Sequence, residues 1–276
     1  PAGLISPLHE TDTVLNAFFQ EDFGFLDNRA HLVLGAKYER NDYSDAGWFP
    51  SIRASFSPRG VNGMVWAAWS EAQRIPTRLE TDITLPGLNG DNFDAEKVAM
   101  SEIGWRQQWT KVSFDVTAFY GEYDDLLSLE SDGIRNNIYG DSQGIEISAN
   151  IQLTKQWLMR SNYSYLSLSL DTNAVGADTA LPQITEGSSP TNTFQWASFL
   201  DVNSSWRINT FIRYVAALDS INVGSYTVAD LVVAWDMSRG TTLRFIGRHI
   251  GDGRHREWGQ GAPIENAYSL SLTWGM

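Results

Sequence analysis

The sequence predicts an all-β chain folded as a transmembrane antiparallel β-barrel, on three grounds: period-two alternation repeated along the chain, strands too long for a soluble sandwich, and connections that alternate between tight and long. Alternation of apolar with polar residues marks a strand whose two faces meet different surroundings. Ile145, Ile147, Ala149, Ile151 and Leu153 alternate with Glu146, Ser148, Asn150 and Gln152. Val112, Phe114, Val116 and Ala118 alternate with Ser113, Asp115 and Thr117, and Tyr268, Leu270, Leu272 and Trp274 with Ser269, Ser271 and Thr273. Leu32, Leu34, Ala36 and Tyr38 form a weaker case, as do Trp206, Ile208 and Ile212.

Taken together, such segments give about thirteen strands, near residues 12–24, 30–41, 48–58, 63–73, 98–109, 111–122, 143–153, 156–169, 191–203, 205–216, 225–237, 241–250 and 266–275. Most reach ten residues, against roughly 5–6 for soluble strands and roughly 9–11 for a strand crossing a bilayer. No stretch carries a helical period. The connections around Asp27, Arg59, Thr110, Thr154, Ser204 and Ser238 are short. Those spanning 74–97, 123–142, 171–190 and 251–265 are long. Short periplasmic turns opposite long outer loops are the asymmetry of outer-membrane barrels.

Composition narrows the alternatives. The 276 residues include no Cys, which removes disulfides and thiolate metal sites, and 33 acidic against 20 basic residues give a net charge of −13. That balance argues against a nucleic-acid partner, which needs clustered Lys and Arg. The longest apolar runs, Met64 to Trp69 and Leu231 to Trp235, fall far short of the ~20 residues a membrane helix requires. Trp66, Trp69, Trp105, Trp109, Trp157, Trp206, Trp235 and Trp274 lie near strand ends or on apolar faces, as interfacial girdles do. With the short turns periplasmic, the first and last strands both run inward. Thirteen antiparallel strands would then close through two parallel edges, whereas single-chain bacterial barrels have even strand numbers. The expectation is that strands and a gate precede Pro1, so that residues 1–276 are one C-terminal barrel portion without a plug domain.

Several stretches resemble, in order, the C-terminal half of a TonB-dependent receptor of the iron-complex (siderophore) type. Phe18–Asp22 is similar to the family's FxQDE strand, and Gly35–Tyr43 to its GxKxExNxY. Phe49–Arg53 resembles the PSxR strand start, and Trp66–Glu80 resembles WAAxSxAxRxPxxxE. Glu102–Arg106 is similar to ELGYR, and Ala118–Leu126 to AFYxxYDDL. Gly144–Glu146 matches GxE, and His255–Trp258 resembles HxEF. The resemblance implies a 22-strand barrel entered at its tenth strand and an outer-membrane location. It also implies uptake of iron chelates such as ferric siderophores, powered by the TonB complex through a plug domain. Insertion into lipid by the barrel assembly machinery is implied too. Met276 stands where the family usually ends in Phe, although Tyr268 and Trp274 remain. A passive porin or specific channel is the alternative function, and a soluble sandwich or adhesin the third.

No catalytic constellation appears, so no enzyme is expected, and no cofactor. His249, His255 and Glu257 are the nearest approach to a metal cluster, but their spacing fits no standard site. They are read as a solvated loop, with no metal assigned. Asp91, Asn92 and Asp94 lack the spacing of a calcium loop and are read as solvated surface. Arg53, Glu102, Arg106, Glu146, Arg160 and Arg213 fall on the polar side of their strands, which in a barrel faces the lumen. There they pair with a plug or line the solute route. Arg74, Arg78, His255 and Trp258, in outer loops, are the ligand-contact candidates, with Arg suited to an anionic chelate.

Overall fold

A computed structural model describes residues 5–7, 9–83, 90, 93–131, 133–173 and 180–275. Thirteen strands pair antiparallel in chain order. They are β1 (Val14–Phe25), β2 (Ala30–Asn41), β3 (Gly47–Phe56), β4 (Gly63–Arg74), β5 (Glu96–Gln108), β6 (Val112–Glu130), β7 (Gly133–Thr154), β8 (Trp157–Thr172), β9 (Asn192–Asp201), β10 (Trp206–Val215), β11 (Tyr226–Ser238), β12 (Thr241–Gly251) and β15 (Ala267–Trp274). Between the last two, β13 (Arg254–His255) and β14 (Ile264–Glu265) make a separate small hairpin.

The long connections contain more structure than expected. The predicted loop at 123–142 is largely strand, because β6 and β7 continue to a turn near Ser131. Asp124, Asp125, Glu130, Asn136 and Asn137 hide this extension from a pattern search. A strand that projects beyond a bilayer has no lipid face, so nothing enforces alternation there. Asn136 Nδ2 donates to the Asp125 carbonyl (2.5 Å) and Ser128 is fully buried, so the extension is packed rather than frayed. Two short helices also occupy loops, α1 (Arg78–Thr81) and α2 (Ala180–Gly187), each too short to show a helical period.

The chain divides into two compact units. The first comprises Pro1–Gly104, Ala118–Gln143 and Ser167–Glu186. Here β1 to β4 run in register, with Gly35 opposite Ser51, Arg53 opposite Ala68 and Ile52 opposite Trp69. One face carries Ser51, Arg53 and Ser55; the other carries Ile52 and Trp69. Trp66 pairs with Ser55 and therefore lies on the polar face, under the Arg53 guanidinium (5.9 Å), not in an apolar girdle. The unbroken apolar run of β4 gives no face assignment by itself; the partner strand does. Gly104 packs against that indole, so closely that a β-carbon there would stand 2.3 Å from Trp66.

The second unit comprises Trp105–Thr117, Gly144–Leu166 and Gly187–Met276. Register sorts its side chains sharply. Met159, Tyr163, Phe194, Leu200, Ile208, Ile212, Leu231, Val233, Leu243, Phe245, Leu270 and Leu272 share one face. Leu270 is 68% exposed and Leu272 51%, the extended apolar surface that water does not tolerate. Trp157, Trp206, Trp235 and Trp274 all sit on this face beside short turns, and Trp206 stacks on Trp235 (5.2 Å, 8°). Arg160, Gln195, Asn209, Arg213, Asp230 and Ser271 occupy the opposite face.

Two outcomes follow from these faces. Phe245→Arg, mid-strand on the apolar face, is expected to cost about 2–4 kcal/mol of unfolding free energy in lipid vesicles, while Ser269→Arg on the polar face changes it little. Urea titration of the vesicle-inserted protein measures both. Gly104→Ala is expected to destabilise by about 1–3 kcal/mol, because the β-carbon must displace a packed indole; the same titration, followed by Trp fluorescence, reads it.

Candidate functional site

The six charged residues expected on the polar face gather in three places. In the first unit, Arg53 and Glu102 line a cavity of about 230 Å³ with Gln20, Ser51 and Ser70. In the second, Glu146 lines one of about 310 Å³ with Asp115, Ser148 and Gln195. Arg106 binds Asp115 at 2.5 Å. Arg160 and Arg213 line a third cavity, of about 390 Å³, with Phe199, Phe211, Asp230 and His249. This one combines two cations with apolar rings: Arg160 lies over Phe199 (5.5 Å), and Phe199 meets Phe211 edge to face (5.5 Å).

At the edge of this cavity the chain folds back on itself. Arg213 sits over the Tyr226 ring (5.5 Å) and also binds the Glu257 carboxylate. The Tyr226 ring stacks on His255 (4.6 Å), whose Nε2 lies 3.2 Å from Glu257 Oε1. The small β13–β14 hairpin pulls His255 inward until it is 9% exposed. The solvated-loop reading therefore fails for His255, because a two-residue hairpin leaves no periodic trace in sequence. Burial pushes the Glu257 carboxyl upward, but the His255 hydrogen bond and the Arg213 charge outweigh it and hold the pKa below the ordinary value.

The loop arginines are engaged within their own chain. Arg74 binds Glu80 through two nitrogens (3.0 Å each), binds Glu96, and covers Phe93 (5.8 Å). Arg78 binds Asp82 (2.9 Å), donates to the Pro7 carbonyl (2.5 Å) and lies 3.6 Å from Glu10. The Ile5–Ile83 bridge and Ser6 N–H to Asp82 carbonyl join the same segments. Nearby, Tyr43 donates to Asp12, and burial with that carboxylate pushes its hydroxyl up to about 12. These arginines tie residues 77–82 to Pro7, Glu10, Phe93 and Glu96. Trp258 is 64% exposed and available. Asp91 and Asn92 lie outside the described residues, whereas Asp94 Oδ1 accepts from the Ala95 N–H (2.7 Å).

Sequence reading missed Phe199, Phe211, Tyr226 and Asp230. Asp230 alone left a trace, as a carboxylate inside the apolar run of β11.

Residues 4–247 match the family described as TonB dependent receptor-like, beta-barrel. The chain belongs to that family. A comparison with curated proteins returns no match. Among solved structures, this receptor barrel is similar to a ferric enterobactin receptor mutant (PfeA) from Pseudomonas aeruginosa in complex with enterobactin, at 13% identity and TM-score 0.74, covering 95% of this chain and 45% of that one. The iron transporter FrpB from Neisseria meningitidis gives 15% identity and TM-score 0.74, with 95% and 45% covered. The copper transporter OprC gives 16% identity and TM-score 0.71, with 95% and 48% covered. At these identities the likeness is one of fold. The receptor barrel described here spans less than half the length of the structures it matches.

The clamp on the 75–95 connection carries a pH signature. Burial raises Glu80, but Arg74 and Thr77 outweigh it and leave its pKa below 4.5; Asp82 is likewise held below 3.8 despite burial, by Arg78 and Thr81. Both folded-state values are depressed, so their stabilisation is present at neutral pH. It is lost as pH falls below the ordinary carboxylate range and through the folded values. Amide exchange over Thr77–Asp82, corrected for intrinsic rate, is expected to accelerate below about pH 4. Glu80→Gln is expected to exchange quickly at neutral pH as well.

Proposed function

We propose that the chain supplies barrel strands of an outer-membrane, TonB-dependent transporter that takes up a metal chelate, with ferric siderophores as the first substrate class. The cavity lined by Arg160, Arg213, Phe199 and Phe211 carries this reading. It offers positive charge and aromatic surface together on the polar face, which suits a ligand that is both anionic and ringed. The apolar face with its Trp row supports a lipid surround, and so insertion by the barrel assembly machinery. Energy would come from the TonB complex through a plug-type domain acting with these strands as the C-terminal part of the barrel. The similar structures, named as receptors or transporters for iron, enterobactin or copper, support the substrate class.

The test is uptake of radiolabelled ferric siderophores by cells whose only candidate receptor is the one containing this barrel. Accumulation is expected to require TonB and an energised inner membrane. Passage of small neutral solutes without either would instead identify a passive channel. Arg160→Ala and Arg213→Ala are each expected to weaken chelate binding about tenfold, the cost of one charge-assisted hydrogen bond; unchanged binding in the double variant would move the ligand site elsewhere.

A further inference from the structure

His249, His255 and Glu257 come from three places, the end of β12, β13 and the segment after β13, yet each presents a ligand atom within 4.8 Å of the others. We infer that they form a binding site for a divalent transition-metal ion of zinc type. Two imidazoles and a carboxylate are the donor set such ions prefer, and three protein ligands leave a coordination position open.

Three further observations point the same way. His249 holds a left-handed backbone (φ 54°), which a side chain with a β-carbon adopts at a cost. That conformation sits where the β11–β12 register shifts between Ala229 and Leu231, and the His249 N–H is tied to Asp230 Oδ1 (2.8 Å). A bulge of this kind re-aims one side chain out of the regular ladder. Second, the Nδ1 atom of His249 is buried and has no hydrogen-bond partner among the described residues. A buried ring nitrogen left without a bond is costly, and a metal ion in the cluster supplies one. Third, His255 is buried under Tyr226 and already directed at Glu257.

The distances are close to those needed. Nitrogen and oxygen ligands about 2.0–2.1 Å from a tetrahedral zinc lie about 3.4 Å from one another. The His255 Nε2 to Glu257 Oε1 separation is 3.2 Å, so His249 is the group that must close in, from a ring separation of 5.7 Å. An ionised carboxylate only accepts hydrogen bonds, so His255 now donates its Nε2 proton to Glu257. The metal takes that proton's place: a neutral ring carries its one proton on Nδ1 instead, and a protonated ring releases the Nε2 proton to solvent, so the ligand is neutral imidazole in either case. Arg213 and Arg160 are matched by Glu257 and Asp230, so the cations of the neighbourhood are compensated where the dication enters.

The site borders the cavity proposed above for the cargo, through His249 and Arg213, but zinc binding by the chain and uptake of a chelate are measured separately. The probe is Zn²⁺ alone, titrated calorimetrically into the full chain folded in detergent, with X-ray absorption at the zinc edge. Saturable binding with two imidazole nitrogens in the coordination shell is expected. His249→Asn suits the left-handed backbone and removes the ring, and Glu257→Gln keeps shape while removing charge. Each is expected to weaken zinc at least about tenfold, with circular dichroism unchanged. Zinc binding at parental affinity in both variants, or a shell without imidazole, would overturn the site.

Discussion

The ladder of antiparallel backbone hydrogen bonds, and the register it enforces, is the constraint on which the other features depend. A surface that meets hydrocarbon has no water to satisfy backbone N–H and C=O groups, so neighbouring strands must satisfy them. Because side chains alternate with a period of two, a slip of one residue would exchange the faces entirely. In the second unit that slip would place Arg213 and Arg160 where Ile212 and Met159 now stand, and turn Leu270 and Leu272 inward. The long, two-sided strands are thus both the means of crossing a bilayer and the means of sorting charge from apolar surface.

Of the two departures from regular register between β11 and β12, the one between Ala229 and Leu231 coincides with the densest chemistry. Asp230 and His249 lie at the shift, and the segment after β12 turns back so that His255 and Glu257 approach them. A regular ladder would hold His249 to its strand's alternation; the bulge frees it. Arg213 then links the two arrangements, facing the cavity with Arg160 and holding Glu257 from the other side.

Arginine plays two separate parts in this chain. Arg74 and Arg78 are bound by carboxylates of the connection they belong to, which leaves their charge largely compensated. Arg160 lies instead over an aromatic ring in a cavity wall, where its charge faces the open space. Their positions in the sequence made the loop arginines the more conspicuous ligand candidates. The partners that occupy them, Glu80, Glu96 and Asp82, are near in sequence but fixed by α1 and the start of β5, elements too short or too polar at that end to be read in advance.

The sequence by itself determined the all-β class, the number of main strands and their alternating connections. It could do so because period-two alternation and strand length are local properties, written residue by residue. Only the tertiary structure decided that Trp66 lies under Arg53, that β6 and β7 project beyond the alternating segment, and that His255 is buried beside His249 and Glu257. Each of these depends on which residue of a partner strand or hairpin stands opposite, and cross-strand register is a relation between distant segments that no local pattern contains.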